Sequence, residues 1–168
     1  MSTVIQPLPP QIFQGPITEA YHLAVEQTEP VFCPSRVYCD DRGWSLMNEL
    51  QGVLQPEGQV NYSVQFPGVI KAWHRHAEQT DFWMVVQGQM KVGIHRSTDQ
   101  TSWSIVSGER RPGTLVIPPT LWHGATAVGP VQAGLLYYVT KAFDPGSPDE
   151  ERMAHDAIEG FPWNVEHR

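Results

Sequence analysis

From Val60 onward the chain breaks into short segments of period two, each closed by glycine or proline, a pattern that points to an all-β fold. Val60, Tyr62, Val64 and Phe66 alternate with Asn61, Ser63 and Gln65, and Pro67-Gly68 ends the run, giving a strand with one apolar and one polar face. VIKAWHRH follows, and then DFWMVV and QMKVGIHR flank Gln87-Gly88 in the manner of a hairpin. TSWSIVSG, TLVIPP, GATAV and AGLLYYVT continue the series at roughly even spacing, as in a sandwich or barrel. Residues 58–142 are therefore expected to form the barrel core. Residues 1–57 would be an N-terminal arm with the first strands, and 143–168 a C-terminal helix and tail, all within one domain.

Helical spacing occurs twice. In PITEAYHLAVEQ, Ile17, Tyr21 and Ala24 or Val25 recur on one face. Near the other end Ser147 as N-cap, Pro148 in the first position and Glu150 form a capping box, predicting a helix that stops at Gly160. Phe161 and Trp163 beyond it are expected to pack on the barrel.

A chain of 168 residues buries about 70% of its extended surface, enough for a core without disulfide or structural metal. Cys33 and Cys39 are accordingly read as reduced thiols. A net charge of -7 disfavours nonspecific binding to nucleic acid or an anionic membrane, which both need a broad basic surface. No stretch approaches the roughly 18 apolar residues of a spanning helix, and MSTVIQPLPP lacks the features of a secretory signal. A cytoplasmic protein is expected.

His74 and His76 lie two residues apart in a predicted strand and so point to the same side. Between Gly68 and Gly88 the chain reads G-x5-H-x-H-x4-D-x6-G with Asp81 as the acid, and P-P-T-L-W-H later supplies His123. Three imidazoles and a carboxylate suit one divalent transition metal such as Zn, Fe, Mn or Ni, with a position left open for substrate. The same histidines beside Trp73, Trp83 and Trp122 also fit a hydrogen-bonded aromatic pocket. Because Asp is one methylene shorter than Glu, Glu78 is the reserve ligand. No organic cofactor is indicated.

These motifs resemble the two signatures of the cupin superfamily, which implies a double-stranded β-helix jelly-roll barrel. Asp81 stands where that pattern has Glu, and Thr120 where it has Gly. A closer likeness runs from about Pro34 to Trp163. DDRG at Asp40 to Gly43, VNYSVQFPGVIKAWH, IPPTLWHG, and LLYYVT with FDPGSPDEER resemble, in order, motifs of the dTDP-4-dehydrorhamnose 3,5-epimerase family. The resemblance implies an epimerase acting on a dTDP-linked 4-keto-6-deoxy sugar by proton abstraction beside the carbonyl. It places the base at His74 and the acid at Tyr137, with Arg42, Asn61, Lys71, Trp73 and Tyr138 around the substrate. It also implies a homodimer.

Two of the family's helpers are not matched. Its active-site lysine falls on Asp81, where a carboxylate would repel an enolate, and its late aspartate has no counterpart. A divalent ion on His74, His76, Asp81 and His123 would replace the lysine as electrophile. His74 would then be a ligand rather than a free base, leaving the proton to Tyr137, Tyr138 or Glu78. A metal-dependent cupin of another class, such as a dioxygenase or small-metabolite isomerase, and a non-catalytic sugar-binding barrel are the rival readings. His22, His95, His155 and His167 are read as surface or capping residues, and Arg110 and Arg111 as a solvated turn.

Overall fold

The computed structural model describes residues 4–165; His167 lies outside them. The order is β1 (Gln11–Ile12), α1 (Ile17–Gln27), β2 (Val31–Pro34), β3 (Val37–Asp40), β4 (Gly43–Leu46), β5 (Gln59–Gln65) and β6 (Ile70–Arg75). It continues with β7 (Asp81–Gln87), β8 (Gln89–Arg96), β9 (Thr101–Gly108), β10 (Gly113–Ile117), β11 (Trp122–Ala127), β12 (Ala133–Val139) and β13 (Glu151–Arg152). Two sheets make the jelly roll, β1-β2-β10-β7-β12-β5 and β13-β6-β11-β8-β9, while β3 and β4 pair only with each other. No helix among the described residues is long and apolar enough to cross a membrane.

Strand alternation divides the buried side chains into three groups. Trp83, Val85, Met90, Val92, Ile94, Leu115, Ile117 and Leu135 fill the space between the sheets. Their neighbours in sequence, Phe82, Val116 and Tyr138, point outward from the six-stranded sheet and pack under Ala20 and Ala24 of α1. On the far side Trp73 and Trp122 leave the five-stranded sheet to meet Phe161 and Trp163. Covering both faces explains why DFWMVV reads as a continuous apolar run.

Three expectations are corrected. QG does not close a hairpin: β7 pairs with β10 and β12, whereas β8 pairs with β9 and β11. At Gly88, with φ +65°, the chain instead crosses from one sheet to the other. In β5 the two faces are inverted relative to the usual solvent rule, since Val60, Tyr62 and Phe66 just after the strand are exposed while Asn61, Ser63 and Gln65 line the interior. His95 is buried, not superficial, with Nδ1 bonded to Ser102 Oγ at 2.9 Å.

The third correction concerns the C-terminal helix from Ser147, which does not form. The Asp144 carboxylate turns the chain by accepting from the Gly146 N–H, and residues 151–153 then pair with β6, Glu151 opposite Arg75 and Arg152 opposite His74. A capping box is a local signal worth about 1 kcal/mol. Here it competes with β6, whose free edge offers ladder bonds including the reciprocal Trp73–Met153 pair at 3.0 Å. The extended segment caps that edge and forms a strap across one end of the barrel.

Candidate active site

The cavity between the sheets has a volume of about 730 Å³, within the usual range for small-molecule sites. One wall is polar and comes from β5: Gln59, Asn61, Ser63 and Gln65. The opposite wall holds the histidines. Antiparallel pairing of β11 with β6 sets His123 directly beside His74, with ring centroids 4.1 Å apart. His76, one residue past β6, lies 5.6 Å from each of the other two rings. Asp81, at the start of β7, enters from the other sheet.

One ligand-type atom from each of His74, His76, Asp81 and His123 lies within 4.8 Å of all the others. The remaining polar atoms are largely committed. His123 Nδ1–H donates to Leu121 O at 2.9 Å, which leaves Nε2 as the free ring nitrogen. His76 Nδ1–H donates to Asp149 O. Asp81 accepts from Gln79 Nε2 at 2.6 Å and from Trp83 Nε1 at 2.9 Å. Hydrogen bonds of this kind, made on the side away from the cluster, fix ring tautomer and carboxylate direction.

His123 Nε2 is the one buried side-chain nitrogen or oxygen among the described residues with no hydrogen-bond partner. Asp81 Oδ2 is its nearest carboxylate at 3.5 Å, too long for a good hydrogen bond. An orphaned buried acceptor is costly, and a cation among the four groups would satisfy it. The donor set therefore fits a divalent transition metal of the nitrogen- and oxygen-loving kind. Asp81 reaches the cluster despite its length, whereas Glu78 is turned outward onto Lys141 at 2.7 Å.

Electrostatics agree with that geometry. Burial pushes His74 down from 6.5 to about 2, the His123 ring adds to the effect, and Asp81 opposes it, so His74 is neutral and able to ligate. Burial alone would raise Asp81. The imidazoles of His123 and His76 and the Gln79 amide outweigh it, holding the carboxyl at about 2 and ionised.

The other expected residues separate into two groups. Tyr137 sits opposite Asn61 and Trp83 in the strand register and lines the cavity; burial raises its phenol, and Asp81 and Glu150 add to the shift. Asn61 and Lys71 also line it, with Lys71 Nζ donating to Ser63 Oγ at 3.0 Å and Val64 O at 3.1 Å. Tyr138 is not available as a substrate contact, and Trp73 borders the cavity with its ring packed on the other face of the sheet. The Trp73 indole is 1% exposed, packed edge-on against Phe161 with Nε1 bonded to His155 O at 3.0 Å. Tyr138, also 1% exposed, faces α1, and its hydroxyl accepts from the Gln55 N–H at 2.8 Å. Arg42 sits on the β3–β4 turn, paired with Asp40 and away from the cavity of its own chain.

Gln79, Glu150 and Arg152 also line the site and were not anticipated. Gln79 had a legible signal, being two residues before Asp81 and so directed to the same side. Glu150 and Arg152 did not, because their place follows from the strap.

Comparison with known proteins agrees with this architecture. Residues 38–151 match the family model described as polysaccharide biosynthesis C-terminal domain. The chain is 34% identical over 139 residues to the spore coat polysaccharide biosynthesis protein SpsL of Bacillus subtilis, covering 78% of this chain and 92% of that protein. It is 36% identical over 112 residues to the probable low-salt glycan biosynthesis epimerase Agl13 of Haloferax volcanii, covering 62% of this chain and 72% of that protein. The structure of dTDP-4-dehydrorhamnose 3,5-epimerase from Bacillus anthracis superposes with a TM-score of 0.68 at 21% identity, over 82% of this chain and 86% of that one. A sequence match across most of its length and a barrel shared with sugar epimerases establish that this chain belongs to the polysaccharide biosynthesis C-terminal domain family and has the dTDP-4-dehydrorhamnose 3,5-epimerase-like cupin fold.

Proposed function

We propose that the chain is a metal-assisted epimerase of a nucleotide-linked keto sugar, with a dTDP-4-keto-6-deoxy sugar as the first candidate. The observation that carries this reading is the orphaned His123 Nε2 beside His74, His76 and Asp81. Those four residues would hold the ion, which when bound supplies a Lewis acid for a carbonyl oxygen. His74 is then a ligand. The proton on the carbon beside the ketone is handled by Tyr137, the cavity residue whose hydroxyl is a general acid–base group; Tyr138 and Glu78 are excluded by their orientation.

The chain's own residues supply the rest. Asn61 and Gln59 offer amide groups to sugar hydroxyls, and Lys71 offers a cation to a diphosphate. Lys71 supplies a point charge rather than the bidentate fork of an arginine. We further propose that two copies pair, covering the exposed apolar outer face of β5 and the β3–β4 hairpin with its exposed Tyr38 and Trp44. Light scattering on the eluting protein should return a dimer mass; a monomer at micromolar concentration removes that part.

The central test is incubation with a dTDP-4-keto-6-deoxy sugar in deuterated water. Deuterium should enter beside the ketone, chelation should stop it, and added Zn, Fe, Mn or Ni should restore it. Tyr137→Phe should slow exchange by about 10²- to 10⁴-fold. Undiminished exchange in chelated protein would remove the metal from the reaction. So would protein purified without a nickel column that carries under about 0.1 equivalent of metal and resists reconstitution.

A further inference from the structure

Asp149 touches neither the cavity nor any group proposed to react, yet it bonds to four atoms of the segment that carries two of the four ligands. Its Oδ1 accepts the Ala77 N–H at 2.8 Å, and its Oδ2 accepts those of Glu78 and Gln79, each at 3.0 Å. Its backbone carbonyl accepts His76 Nδ1–H. The carboxylate therefore closes a loop that would otherwise leave three successive amides without partners. The carbonyl fixes one tautomer of His76, in which Nε2 is the unprotonated nitrogen left for the site.

The influence extends one residue further. The Gln79 backbone is tied to Asp149, and the Gln79 side chain holds Asp81 Oδ1 at 2.6 Å. His74 and His123 are set independently, by strand pairing and by Leu121 O. We propose that Asp149 is the positioning residue of the site: anchored on the C-terminal strap, it orients His76 directly and Asp81 through Gln79, and so sets the affinity and geometry of the metal. This rests on the metal reading above, since without an ion the ordered rings have nothing to bind.

Asp149→Ala should weaken Co(II) binding by about 10- to 100-fold, the usual effect of losing an outer-shell partner, and alter the visible d–d spectrum of the Co(II) protein. Asp149→Asn keeps one acceptor and should recover part of the loss. Glu151→Ala, which removes the Arg75–Glu151 ion pair on the same strap, is the control for general loosening and should leave Co(II) affinity and spectrum as in the wild type.

A second readout needs no metal. Two-bond ¹⁵N–¹H spectra of the metal-free protein above neutral pH should show His76 purely as the Nδ1–H tautomer; Asp149→Ala keeps the accepting carbonyl but frees it from the 77–79 amides that hold it against the ring, so a mixture is expected there. If Asp149→Ala matches wild type in affinity, spectrum and tautomer, the inference is overturned. An effect of Glu151→Ala equal to that of Asp149→Ala also overturns it, because any disturbance of the strap would then suffice. If wild type binds no Co(II) but its His76 tautomer is locked and released by Asp149→Ala, the orienting role stands and the metal reading fails.

Discussion

Strands β6 and β11 present two contrasting faces. Inward, His123 is buried with Nε2 unpartnered and His74 lies half-buried beside it; outward, their immediate neighbours Trp73 and Trp122 join Phe161 and Trp163 in close aromatic contact. In the outer cluster Trp73 and Trp163 share the His155 carbonyl through their indole N–H groups. The inner face is left in a state that folding alone does not favour. Adjacent residues on one strand thus serve opposite ends, and the outer packing secures a backbone on which costly groups can be assembled.

Substitutions on the two faces should separate activity from stability. The largest expected effect is His123→Ala, which removes one of the proposed ligands and, on the metal-assisted reading, should lower turnover by about 10³-fold, the equivalent of several kcal/mol of lost charge stabilisation. Its metal-free melting temperature should move far less than that of an outer-face variant, because an unsatisfied buried nitrogen leaves with the ring. Trp163→Ala should do the converse. Loss of a buried indole costs about 3–5 kcal/mol, lowering the melting temperature by roughly 10 °C, with Co(II) affinity measured in the folded range unchanged. Equal loss of both properties in either variant would break the contrast.

Acid should affect the inner face before the outer. His74 is depressed from 6.5 to about 2 in the folded protein, so between those values the unfolded chain binds more protons. The stability associated with neutral His74 is complete above about pH 6.5 and is lost as pH falls toward 2. Asp81 acts in the same direction, between 3.8 and about 2. Denaturant titrations across this window should show a slope that flattens in His74→Asn; an unchanged slope would mean the acid sensitivity lies elsewhere.

The smallest effect is expected at Thr120, where a β-branched residue has φ +71° while its N–H donates to His76 O at 2.7 Å. Thr120→Gly relieves a left-handed conformation worth about 1 kcal/mol and keeps the bond, so the melting temperature should rise by roughly 2–4 °C. No rise would show that the Thr120 side chain contributes contacts of similar size.

The same contrast separates what was legible in the sequence from what was not. His74, His76 and His123 could be placed together from an H-x-H on a strand and a later histidine in a cupin-like motif, because period-two alternation is a strong local rule. Tyr138 was misplaced by neglecting that rule, since it adjoins the cavity residue Tyr137 and must face away. The outward apolar side of β5 was not legible, because alternation shows that two faces exist but not which one encloses a polar cavity. The Gly88 crossing imitates a hairpin turn, and the residues after Ser147 imitate a helix. In both places the outcome depends on strands distant in sequence, which a local pattern does not contain.

The bond from His76 to Asp149 spans 73 residues. During synthesis the strands through β12 emerge, and can pair, before Asp149 leaves the ribosome. A nascent chain stopped short of it has the barrel wall but not the locked imidazole, so the ring is oriented only after most of the framework around it is already in place.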